Sequence, residues 1–291
     1  MSATLLTASL MKLLSLRNAS PFIAPILTLV LTLTGSAALF SPIAQAAGVV
    51  NQSSGPADNG FTILNKAANV THWGVAAGVS GSKSPYKGDG VDVSPISLLF
   101  FDNKWVYVAG TSADIKIGHW SGVSVALRVD YALSDGYRGK DAAILHGMQT
   151  RKSALWFGPA VSWETDLGVA SASFLTAGNK GQQANLHFAK TFEMGRFSLS
   201  PYIGADWMSS RYVNYYAGVT PSEARIGRPA YQGKSAYRFS FGTRVEYRLT
   251  QQQALGLQVG LSHVTSGITD SPIVGTKTSP EIGLIYIYQF K

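Results

Sequence analysis

The chain has 291 residues, of which 46% are hydrophobic and only 14% charged, with 30 glycines, 13 tyrosines and 13 phenylalanines. One large domain fits this length better than two small ones, and the absence of cysteine excludes a disulfide framework, a thiolate metal centre and a lipidated cysteine. The formal charge of +8 raises the question of nucleic acid, but Lys and Arg are scattered without a basic cluster, so a polar lumen or a lipopolysaccharide-facing rim accounts for them better.

Residues 1–46 read as a signal peptide. Lys12 and Arg17 form a basic flank, an apolar stretch runs from Pro21 to Phe40, and Ala44-Gln45-Ala46 offers the small residues a signal peptidase accepts. Met11 is a second candidate start. A retained transmembrane helix is the alternative, opposed by Pro21, Pro25 and Gly35 within the stretch. Residues 47–71 mix Gly, Ser, Asn and Ala with weak periodicity and are expected to be a flexible periplasmic segment or a partial plug. No later stretch is apolar for helix-spanning length, so membrane residence has to come from strands.

Residues 72–291 supply them. Strand-like runs cover Trp73 to Ser80, Ser94 to Phe101, Trp105 to Ile117, Gly122 to Ala132, Ser153 to Glu164, Gly168 to Ala177, Ala184 to Glu193 and Arg196 to Trp207. The last three are the clearest. Tyr237, Phe239, Phe241, Val245 and Tyr247 alternate with Arg238, Ser240, Gly242, Arg244, Glu246 and Arg248; Leu255 to Leu261 and Ile282 to Phe290 repeat the pattern. A period of two over about ten residues, apolar on one face and polar or small on the other, is the pattern of a transmembrane antiparallel β-barrel in an outer membrane.

Eleven runs conflict with the even number such barrels need. Trp105 to Ile117 is either two strands broken at Gly110-Thr111-Ser112 or one strand joined by another near Phe61 to Lys66. Both give twelve; ten is the alternative. Trp73, Tyr131, Trp207 and Tyr237 are expected near the outer rim, and Trp105, Trp163, Phe197, Tyr247 and Tyr288 near the inner one.

Lumen parity collects Arg128, Asp130, Asp206, Arg238, Arg244, Glu246, Arg248 and Glu281, which read either as a lining selective for small solutes or as a salt-bridged filling. The loop from Ser209 to Lys234 is too long for a mere connection. Its Tyr212, Tyr215, Tyr216, Arg225, Arg228 and Tyr231 suit a binding surface or a plug. His263 with Thr265 and Ser266 is the one stretch that invites a lipid-hydrolase reading, but no acid stands at a useful spacing. The other histidines lack metal-like spacing, and no cofactor is expected.

The block Tyr215-Tyr216-Ala217-Gly218-Val219-Thr220-Pro221, followed by Arg228-Pro229-Ala230-Tyr231, joins Tyr86-Lys87-Gly88-Asp89 and Ser271-Pro272-Ile273-Val274 in resembling the MipA/OmpV family of outer-membrane proteins. Lys87 departs from the family's commoner acidic residue, and Lys291 follows the terminal aromatic Phe290. The resemblance implies a non-enzymatic barrel in the Gram-negative outer membrane that contacts lipid and lipopolysaccharide. It further implies a scaffold for a lytic transglycosylase and a murein synthase at the peptidoglycan, or an adhesion or antibiotic-response protein. A narrow channel for small solutes is the reading from another class.

Overall fold

The computed structural model describes residues 62–63, 69–132 and 136–290. The expected signal peptide, most of the 47–71 segment and Lys291 lie outside the described residues.

Twelve strands close an antiparallel barrel. In chain order they are β2 (His72–Lys83), β3 (Val91–Asp102), β4 (Val106–Ala109), β5 (Ser112–Trp120), β6 (Val123–Tyr131), β7 (Leu155–Thr165), β8 (Gly168–Thr176), β9 (Gln182–Ala189), β11 (Phe197–Met208), β12 (Ala236–Arg248), β13 (Gln253–Val264) and β14 (Thr278–Gln289). Two short pieces complete the sheet. β1 (Thr62–Ile63) lies against Gly118 and His119 of β5, and β10 (Phe192–Met194) continues β9 after a break, both pairing with β11. Each strand pairs with the next, and β14 returns to β2 over Glu281↔Ser82 to Gln289↔Gly74, which closes the ring.

The ambiguity at Trp105 to Ile117 resolves as two strands. Gly110 has φ 63°, a left-handed conformation that glycine adopts freely, and the chain reverses there so that Ala109 pairs with Ser112. The register slips between Lys116 and Gly118, a bulge that re-aims the rest of β5. The weak run near Phe61 to Lys66 contributes only the two-residue β1.

Alternation sorts the faces as the period of two demands. Phe241, Ile203 and Leu186 point outward, 58 to 60% exposed, whereas Gln258 and Ile285 point inward and are buried. A continuous apolar outside with charge confined within is stable only against hydrocarbon. Tight turns at Ser121-Gly122, Asp166-Leu167 and Gly195-Arg196 mark the inner end; the loops 84–90, 132–154, 209–235 and 265–277 mark the outer end. Phe197 and Tyr247 pack with ring centroids 4.6 Å apart at the inner end. Trp73 corrects the sequence reading: it stacks on Phe290 at 4.0 Å and belongs to the inner rim, because β2 rises from that end.

Candidate functional site: the capped lumen

At the outer mouth the loops build a small hydrophobic core. The segment expected to be irregular contains α1 (Ser210–Ala217), whose Ser209 side chain accepts from the Tyr212 N–H at 3.3 Å and from the Gln182 N–H at 3.0 Å. α1 buries Tyr212, Val213, Tyr216 and Ala217. Tyr212 packs on Trp156 at 5.5 Å, and Tyr137, Leu145 and Met148 from the 132–154 loop join them with Ile273 and Val274 from the last loop. Each large apolar side chain withdrawn from water contributes roughly 1.5–3 kcal/mol, enough together to hold loops that carry little regular structure.

Polar contacts tie the same loops. Asn214 exchanges two hydrogen bonds with the Gly233 backbone at 3.2 and 2.7 Å. The Tyr231 hydroxyl donates to Gly267 O at 2.8 Å and Ser271 Oγ to Ala217 O at 2.5 Å. Burial, helped by the charge of Asp270, raises the Tyr231 phenol, and burial pushes Tyr137 up to about 12. Tyr215, at the edge of the cap, meets the Lys152 N–H at 3.1 Å and lies under Lys180.

Glu223 is the electrostatic hub. It closes a capping box with Thr220, accepts the Gln149 N–H at 3.0 Å, and takes the Arg151 guanidinium at 2.8 and 2.9 Å. Burial alone raises a carboxyl, but these donors and the Arg151 charge outweigh it and hold Glu223 below the ordinary range. Arg228, only 2% exposed, donates to the carbonyls of Glu223, Ile144 and His146, and burial lowers it. Arg225 reaches Ala143 O at 2.8 Å. The six tyrosines and arginines singled out from the long loop therefore all take part in the cap.

Below the cap the lumen charges are largely paired. Arg128 grips Asp114 through two bonds of 2.7 and 2.6 Å. Asp130 accepts from Ser112 and Thr111. Asp206 faces His187 Nε2 at 3.1 Å, and Arg238 touches Met208 Sδ. Arg244 is buried on the inward face, with Glu246 two residues on. Glu281 accepts the Tyr202 hydroxyl at 3.0 Å. Arg248 sits at the inner rim, half-exposed and paired with Glu193. Lys116 and Asp102 form a further pair at 2.5 Å.

Several partners escaped the sequence reading. Asp114 and Lys116 share the parity of Ser112, and with the stretch open between one strand and two that parity was not set. Tyr202 is inward on β11, and the glycines opposite were the available signal: a Cβ at Gly242 or Gly260 would lie 2.6 or 2.4 Å from the Tyr202 oxygen. Those glycines clear a track for the phenol to cross β12 and β13 to β14.

His263 Nδ1 lies 2.9 Å from Thr278 Oγ1, while Thr265 Oγ1 instead accepts the Tyr237 N–H. Among the described residues no group of three or more metal-ligating side chains is assembled.

A closed barrel with an apolar belt, a charged lumen and long loops at one end is an outer-membrane β-barrel protein. The family model described as MltA-interacting protein MipA matches residues 74–290, and the chain belongs to that family. Relatives include the outer membrane protein Omp26La of Vibrio anguillarum, 26% identical over 53% of this chain and 61% of its own length. The chain thus spans under two thirds of that relative. Outer membrane protein OmpV of Vibrio cholerae is 26% identical over 68% of this chain and 72% of its own. The MltA-interacting protein of Escherichia coli is 22% identical over 78% and 96%. The protein is located in the outer membrane.

Proposed function

We propose that this barrel is a non-catalytic scaffold that links murein-processing enzymes, a lytic transglycosylase and a murein synthase, to the outer membrane. The observation that carries the reading is the hydrophobic core that the loops build at the outer mouth. With that core and the paired lumen charges supporting a filled barrel, the surfaces offered to macromolecules are the loop exterior and the inner rim. At the inner rim Leu167 stands 74% exposed at the tip of the β7–β8 turn, on the face that would meet a periplasmic partner. The relative named MltA-interacting protein supports an enzyme partner by its name.

The test is photocrosslinking from position 167 in intact envelopes, with mass spectrometry of the adducts. Capture of a lytic transglycosylase or murein synthase is expected. Adducts with lipid or unrelated porins alone would remove the scaffold.

A narrow channel is the second reading, favoured by the charged inward faces of β6 and β12. Single-channel recording separates the two: the intact barrel is expected to stay closed, and a steady current sensitive to Arg244→Ala would install the channel instead.

A further inference from the structure

The outer edge of the wall between β8 and β12 carries three cations in an arc. Arg211 lies in the first turn of α1, just past the top of β11, and is exposed. It shares a helix face with Asn214 and Tyr215, since α1 turns Tyr212, Val213, Tyr216 and Ala217 inward. Tyr215 leads to Lys180 on one side. The Lys180 ammonium lies 5.2 Å from the Tyr215 ring centre and donates to the carbonyls of Lys152 and Ser153 at 3.2 and 2.7 Å. Asn214 leads to the other side through its two hydrogen bonds to Gly233, the neighbour of exposed Lys234. The β8–β9 turn is pressed against the start of the helix, because a Cβ on Gly181 would meet Tyr212 N at 2.5 Å.

The arc has no carboxylate of its own. α1 carries no acid in its first turn. Among the described residues Arg211 and Lys234 join no ion pair, and the contacts of Lys180 are carbonyls and a ring. Like charges gathered at one edge repel, and a bound anion offsets that cost. Directly beneath, the wall faces hydrocarbon. Ala184 pairs with Phe174 of β8 and with Trp207 of β11, and Trp207 pairs with Tyr237. Ala184 and Trp207 share the outward parity of Leu186 and Ile203, and Phe174 and Tyr237 are 46% and 48% exposed. A methyl between two aromatic rings leaves the outer surface recessed at Ala184, and Leu186 continues the same strand face toward mid-wall. Aromatic side chains at this height mark the membrane interface, which sets the arc at the level of headgroup phosphates.

We infer that this edge binds one phosphorylated, acylated glycolipid of the outer leaflet, with its phosphate on Arg211 between Lys180 and Lys234 and one acyl chain in the recess at Ala184. The fork of a guanidinium matches phosphate oxygens, and the apolar wall below the cations selects an acylated anion over a free one. The site lies on the outside of the wall, independent of whether the protein serves as a scaffold.

The test is native mass spectrometry of the purified barrel in detergent, titrated with bis-phosphorylated lipid A. One lipid A retained per barrel is expected. Arg211→Ala is expected to weaken retention roughly tenfold, the loss of one charge-assisted hydrogen bond. Ala184→Phe, which fills the recess, is expected to weaken it as well; Ala184→Leu replaces it if heat-modifiable mobility shows that Ala184→Phe fails to fold. Lys277→Ala removes an exposed cation next to β14, away from the arc, and is expected to change nothing. Retention unchanged in both Arg211→Ala and Ala184→Phe would overturn the site. An equal loss in Lys277→Ala would overturn it in favour of the diffuse charge of the outer end, and displacement of lipid A by inorganic phosphate would overturn the glycolipid as its occupant.

Discussion

The hydroxyl of Tyr202 on β11 meets the carboxylate of Glu281 on β14 at 3.0 Å, although two strands separate them in the wall. The phenol crosses above Gly242 and Gly260 and also nears Gln258 at 3.5 Å. Gly260→Ala places a methyl where the phenol oxygen lies and is expected to destabilise the barrel by about 1–3 kcal/mol, as overpacking does. Tyr202→Phe removes the donor and leaves Glu281 short of a partner, at about 1–3 kcal/mol. Urea titration in vesicles followed by tryptophan fluorescence reads both. If Gly260→Ala matches the parent midpoint, the phenol does not hold this path.

Arg151 and Glu223 join two outer loops through buried side chains. Removing one member of such a pair leaves the other without compensation, so Arg151→Ala is expected to loosen the cap by about 3–5 kcal/mol. The effect belongs to the loops: trypsin should cut between 209 and 235 faster while the barrel's unfolding midpoint stays in place. Equal cleavage rates would separate the pair from cap stability.

The same carboxyl gives the cap a pH dependence with a defined sign. Glu223 is held below its ordinary pKa in the folded cap, so its stabilisation is complete above the ordinary carboxylate range and is lost as pH falls through the depressed value. Hydrogen exchange across 219–231 should therefore accelerate under acid beyond the intrinsic rate change, and Glu223→Gln should flatten that excess. An unchanged excess in the variant would place the sensitivity elsewhere.

His263 offers a test of the non-catalytic reading. Its ring meets Thr278, so His263→Ala is expected to remove one rim hydrogen bond, at about 0.5–1.5 kcal/mol, and to leave phospholipid turnover of the purified barrel at background. Turnover in the parent that vanishes in the variant would reinstate a hydrolase.

Much of the wall was legible because the period of two is imposed by hydrocarbon outside and charge inside, as at Tyr237 to Arg248. The break at Gly110-Thr111 stayed ambiguous, since β4 is too short for alternation to mark its end. The position of Trp73 was misread because an aromatic at a strand end marks a rim without saying which one. The cap was least legible. Its tyrosines and arginines would serve a plug or a docking surface equally, and the contacts that fix them run between distant loops, as between Arg228 and the carbonyls of Ile144 and His146. Even so, Ser209 before an apolar face at helical spacing was a readable helix start.

The seam between β2 and β14 has a consequence for biogenesis. Its mates are among the strands farthest apart in the chain, and bringing them together is the contact with the largest loop to close. Losing β14 would not yield a slightly smaller cylinder. It would leave β2 and β13 as two bare edges facing each other, an open ribbon that the membrane could not accept, so the wall's integrity hangs on this one seam.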